Sequence, residues 1–187
     1  MKKTFLSVAT WFIMVSVVLA QDLAQQLQDV SVTIKAGRSE GSGVLITRNV
    51  KTEGDKVEKI NFVWTAGHVI SNLRSVRTII RNGMPRQVVE FKDAQIVQEL
   101  IEQGRRVGEL KMDAKVLKFS DSENGEDLAL LMVRKKNFVD KNAVFLASDE
   151  PVAIGKELYH VGSLLGQQGS NSMTRGIMSQ IGRVLNL

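Results

Sequence analysis

Apolar and polar residues alternate along most of this chain in short runs broken by turn residues. In VSVTIKA, Val30, Val32 and Ile34 recur at every second position, the spacing that turns one face of a half-buried strand inward. GSGVLIT (residues 41–47) is a short apolar run led by glycines, and KINFVWTA (59–66) is a further strand-like run. SVRTIIR and RQVVEF flank NGMP, an Asn82-Gly83 turn followed by Pro85. That turn predicts a β-hairpin, because Asn and Gly tolerate the positive φ angles a two-residue loop requires. DAKVLKF and DLALLMV are two more β-rich runs, and KELYHVGSLLG and MTRGIMSQIGRVL close the chain. Short strands recurring with short turns predict an all-β sandwich or barrel. One interval departs from this pattern. DAQIVQELIEQGRR (93–106) carries Ile96, Leu100 and Ile101 at helical spacing with Gly104 as a stop, and predicts a helical or irregular excursion between strands.

The N-terminus follows a different rule. Lys2 and Lys3 precede the apolar run FLSVATWFIMVSVVLA, with Val18 and Ala20 as small residues at its exit. A basic start, an apolar centre and a small-x-small exit predict a signal peptide over residues 1–20, cleaved after Ala20, and a secreted or periplasmic location. The run falls short of the roughly 20 apolar residues of a membrane span and lacks a positive stop-transfer flank, so no membrane association is expected after cleavage. Loss of Lys2 and Lys3 leaves 23 basic against 20 acidic side chains, a mild +3. The basic residues are scattered, with no run longer than Arg134 to Lys136, so no nucleic-acid partner is expected. With no cysteine the fold cannot depend on disulfides, and the core alone must hold it.

Chemistry enters at FVWTAGHVI (62–70). His68 is one of only two histidines and sits in a run whose composition calls for burial. A lone histidine there is ordinarily a packed residue, but TAGH is followed, in this order, by EDLALLMV, YHVGSLLG and MTRGIMSQIGR, with GSGVLIT ahead of it. This set resembles the trypsin-like serine peptidases, in particular their cysteine-free bacterial branch of the periplasmic Deg type, over roughly Val30 to Val184. In that family a strand ending in Thr-Ala-x-His presents the general base in a short turn at the barrel edge. A later strand beginning Asp-Leu-Ala presents the carboxylate. The resemblance therefore implies a general-base role for His68 and an orienting role for Asp127. Gly67, where the family more often has Ala or Asn, reads as one small residue for another. Elementary chemistry agrees with the pairing: an imidazole accepts a proton usefully when a carboxylate fixes its tautomer and stabilises the imidazolium. Asp127 precedes the apolar LALLM, and Glu126 beside it could take the same part. His160, with no acidic or metal-ligand spacing around it, reads as structural filling. Two histidines without cysteine or a His-Glu-x-x-His pattern predict no metal site, and nothing calls for a cofactor.

The nucleophile is missing from this pattern. The family's serine lies in Gly-x-Ser-Gly-Gly, and no such stretch occurs here. The resemblance puts Ser163 on the first strand of a second barrel, and Ser170, Ser172 and Ser179 before or on its second strand, so the serine is expected after Leu187. The expected fold class is all-β, a trypsin-like double β-barrel whose first barrel is complete and whose second is only begun. Its divisions are a signal peptide (1–20), an N-terminal lead (21–29), the first β-barrel carrying the His and Asp (30–150) and the opening strands of the second (151–187). The function that follows is a secreted serine endopeptidase acting on polypeptide substrates. The alternative is a non-catalytic peptidase-like module that binds peptides or a partner protein.

Overall fold

The computed structural model describes residues 23–51, 56–102, 105–145, 152–162 and 171–180. A helix over residues 23–29 (α1) leads into β1 (Ser31–Ala36), β2 (Ser39–Lys51) and β3 (Val57–Ala66). A four-residue helical turn, α2 (Gly67–Ile70), and a 3-10 turn (Ser71–Leu73) follow. Then come β4 (Arg74–Arg81), β5 (Met84–Phe91), β6 (Ala94–Glu102), β7 (Arg105–Phe119), β8 (Leu128–Val133), β9 (Glu157–Gly162) and β10 (Ser172–Ile177). The protein is all-β, as the alternation predicts. Six strands close into an antiparallel barrel in the order β1-β2-β3-β8-β7-β6, sealed where Thr33, Ile34 and Lys35 of β1 pair with Val97, Ile96 and Gln95 of β6. Closure leaves no barrel edge to protect.

The period-two pattern explains what fills the barrel. Ile34, Leu45, Val63, Ile96 and Leu131, one from each of five strands, are fully buried, with Ala114 of β7 beside them. Small residues admit large ones: a Cβ at Gly43 would lie 2.5 Å from Val63 Cγ1 and 2.8 Å from Ile34 Cδ1. Polar side chains share this interior, and Asn61 is the most buried of those described. Asn61 is fully buried, donating to Thr47 Oγ1 (2.8 Å) and to the Val139 carbonyl (3.0 Å) and accepting from the Val139 N–H (3.3 Å). It thereby ties the connection after β8 to the barrel wall, where Asn137 and Lys59 also exchange bonds.

Two sequence expectations change here. Residues 94–102 form strand β6, not a helical excursion. Ile96 and Gln98 are buried, Ile96 pairs with both Ile34 and Met112, and Glu102 turns back directly on Arg105. Strand partners on both sides outweigh the helix-like spacing of Ile96, Leu100 and Ile101, since strand formation is decided by neighbours more than by local preference. Gly104, expected as a helix stop, lies outside the described residues. The Asn82-Gly83 hairpin forms as expected, with φ of 53° and 74° and Arg81 opposite Met84. It nevertheless makes a separate two-stranded sheet, β4-β5, outside the barrel. β9 and β10 form another antiparallel pair, moored to α1 where Gln28 donates to the Asn171 carbonyl (3.2 Å). Residues 1–20, expected as a signal peptide, lie outside the described residues. Among the described residues no helix is long and apolar enough to cross a membrane.

Candidate functional site

Strand register brings His68 to Asp127. In the antiparallel seam between β3 and β8, Val63 pairs with Leu131, Thr65 with Ala129 and Ala66 with Leu128. One step further the Gly67 N–H donates to the Asp127 carbonyl at 2.9 Å, so the end of one strand meets the beginning of the other. Two residues 59 positions apart in the chain are brought into contact.

The local fold then turns His68 outward. The composition of FVWTAGHVI calls for burial at His68, but the strand ends at Ala66, as KINFVWTA predicts, and the next four residues coil. Val69 and Ile70 point into the barrel end, and the His68 side chain is left 64% exposed. Gly41 is the seat for this turn, since a Cβ there would lie 2.5 Å from Val69 Cγ2. Behind it, buried Thr65 donates from Oγ1 to the Ser42 carbonyl at 2.8 Å and clamps β3 to β2.

Asp127 holds His68 at two points. Its Oδ1 accepts the His68 backbone N–H at 2.8 Å, and its Oδ2 lies 2.8 Å from Nδ1 of the ring. With the carboxylate ionised, the proton between them belongs on Nδ1, and Nε2 becomes the acceptor nitrogen. Asp127 itself sits at φ 51°, in the left-handed region that Asp enters more readily than most side chains. The loop before it is tightly drawn: Ser120 N–H donates to the Leu128 carbonyl, and Ser120 Oγ accepts the Glu126 N–H, both at 2.8 Å. The ring hydrogen bond from His68 holds the Asp127 carboxyl below its ordinary range, with the His68 backbone N–H as second cause and partial burial opposing both. Glu126 is exposed, and among the described residues its carboxylate makes no bond to the ring, so the pairing falls to Asp127.

Gly67 is more than a small residue standing in for another. A Cβ there would drive into the Ser120 carbonyl and lie 3.2 Å from Asp127 Oδ1. The run of Gly, a residue with no side chain, and Asp in an unusual backbone conformation is what lets the two loops close on each other. Sequence reasoning missed this role, and the departure from Ala at that position was the available signal.

The other predicted residues are not at this point. Ser163 and Ser170 lie outside the described residues, Ser172 is half-buried on β10 and Ser179 is exposed beyond it. Among the described residues no serine hydroxyl bonds to the His68 ring. His160 is exposed on β9 rather than filling a core; among the described residues β9 pairs with β10 and lies outside the barrel. Among the described residues no group of three acidic or histidine side chains is placed to hold a metal ion. Chemically, the arrangement is an imidazole with one nitrogen held by a carboxylate and the other facing solvent. It is able to take a proton from a weakly acidic group and return it. No family model matches this chain, and no curated protein matches it.

Proposed function

We propose that this protein is a serine-type endopeptidase of the trypsin-like kind, with His68 as general base and acid and Asp127 as its orienting carboxylate. The observation that carries the reading is the two-point hold of Asp127 on His68, through backbone N–H and ring Nδ1. A histidine kept only for packing needs one partner and no exposed ring; this one has a fixed tautomer and an outward Nε2. The closed six-strand barrel presenting both residues at one end agrees with the resemblance in TAGH and DLALL.

In this reading Nε2 takes the proton of a serine hydroxyl as the oxygen bonds to the substrate carbonyl carbon. Asp127 stabilises the imidazolium that results. The same proton passes to the leaving amine as the C–N bond breaks, and water, activated by the same nitrogen, hydrolyses the acyl-enzyme. The serine is the partner still to be assigned, and by the family's order it follows β10 in a Gly-x-Ser-Gly-Gly stretch. Residues 1–20 would export the chain to a secreted or periplasmic space.

The test reads the gene beyond the Leu187 codon for that stretch within about fifty residues. Hydrolysis of labelled casein is then measured for the polypeptide that carries it and for its His68→Ala variant. We expect kcat to fall by about 10⁴-fold or more. Variant activity within about tenfold of the parent would refute His68 as the base. Absence of the serine from an intact gene would favour the non-catalytic module, in which His68→Ala leaves peptide binding unchanged.

A further inference from the structure

A groove of about 810 Å³ runs between the base of the β4-β5 hairpin and the C-terminal end of β7, and His68 is not among its lining residues. Its two long sides are strand edges. β5 pairs only with β4, so its other edge at Val89, Glu90 and Phe91 is open among the described residues. β7 loses β6 after Ala114, and from Lys115 to Phe119 it pairs with β8 alone. The floor is apolar, with the Phe91 and Phe119 rings 5.2 Å apart at a tilt of 50°. The rim is cationic: Lys115 and Lys118 line the groove with Arg74, which pairs with Asp121 at 3.7 Å and lies over the Phe119 ring, and the one carboxylate of the lining, Glu90, is already engaged by Arg77 at 2.6 Å. Among the described residues neither Lys115 nor Lys118 has a carboxylate within ion-pair distance. The far end of the β5 edge carries Pro85 and Arg86, residues that discourage strand addition, whereas the groove end carries neither.

We propose that this groove binds an extended, acidic segment of a partner polypeptide as an added strand between β5 and β7. Open N–H and C=O groups on two facing edges match a strand and little else, and main-chain bonds of that kind supply affinity without demanding one sequence. The five residues from Lys115 to Phe119 set the length, about 17 Å of extended chain. Lys115 and Lys118 select acidic side chains on the inserted strand. A second copy of this chain would bring the same cations face to face. A single-stranded nucleic acid would want exposed ring faces to stack on, and here Phe91 and Phe119 are packed against each other. The proposal does not rest on the peptidase reading.

The test is fluorescence anisotropy of the full chain with a labelled hexapeptide, Glu-Val-Asp-Phe-Glu-Val. Saturable binding below about 1 mM is expected, with at least about a tenfold loss for the Lys115→Glu/Lys118→Glu variant, both substitutions lying on exposed positions. With the unaltered protein, N-methylating alternate peptide residues in either phase is expected to weaken binding severalfold, because each phase faces one of the two edges. No binding below about 1 mM overturns the proposal. So does binding indifferent to both changes. Tighter binding of a ten-nucleotide oligothymidylate, or of a peptide with Lys in place of its acids, also overturns it. Self-association abolished by the same double variant in sedimentation velocity would assign the groove to a second copy instead.

Discussion

The β3-β8 seam and the β4-β5 hairpin are both antiparallel pairs of apolar-rich strands, and they end in opposite environments. The hairpin has the stronger local signal. Its Asn82-Gly83 turn fixes the register two residues from either strand, yet Val76 is 51% exposed and Ile80 79%. The seam has no local signal at all, since its paired residues are far apart in the chain, yet Val63 and Leu131 are fully buried. A turn decides which residues face each other; it does not decide whether anything covers them. Coverage comes from closing the barrel, which puts β2 beside β3 and β7 beside β8 and gives their inward side chains a shared interior. The site was built on the covered pair. His68 and Asp127 need positions held to a fraction of an ångström, and a seam buried on its inner face resists displacement better than a hairpin standing in water.

The most forceful way to break this contrast is to cut one side chain from each pair. Leu131→Ala should lower unfolding stability by about 2–5 kcal/mol through the cavity it leaves, whereas Ile80→Ala should stay within about 0.5 kcal/mol. Urea unfolding midpoints measure both, and equal losses would mean that the hairpin is covered in solution. A smaller effect is expected at the junction itself. Gly67→Ala forces a methyl group against the Ser120 carbonyl and should cost about 1–3 kcal/mol. It should also displace the Asp127 loop, seen as shifted amide resonances at 120–128 with the hairpin resonances unmoved.

The smallest effect sharpens the electrostatics of the site. Asp127 is held below its ordinary carboxyl range in the folded protein. A depressed folded pKa stabilises the fold above the unfolded value, near 3.9, and that contribution is lost as pH falls through the lower folded value. Unfolding midpoints of the unaltered protein and of Asp127→Asn should therefore differ in full above about pH 5 and converge as pH falls through the lower folded value. Asn also accepts the φ of 51°, so backbone strain does not confuse the comparison. A difference independent of pH would show that the carboxylate's charge contributes nothing to holding the turn.

Much of the strand content was legible because period-two alternation and turn chemistry act over a few residues. VSVTIKA, KINFVWTA, the Asn82-Gly83 turn and DLALLMV all form as their patterns predict. Residues 93–106 misled for a physical reason. Ile96, Leu100 and Ile101 suit a helix taken alone, and only β1 and β7 on either side make the strand the better state. At the site, the residue types of His68 and Asp127 and their order along the chain were readable. The outward turn of the ring and the need for Gly67 were not. Each depends on what lies across the gap: Val69 on Gly41, and the Ser120 carbonyl over Gly67.

By itself, then, the sequence determined an all-β chain, a hairpin at Asn82-Gly83, and a histidine and an aspartate each next to a strand suited to carry it. Tertiary structure decided which strands close into the barrel and which stand outside it. It also decided that Asp127 rather than Glu126 meets the ring, and that the ends of β5 and β7 line one cationic groove. The division follows the range of the forces. Backbone preference and side-chain alternation are written into neighbouring residues, whereas burial, register between distant strands and the room for a missing Cβ exist only once the whole barrel has closed.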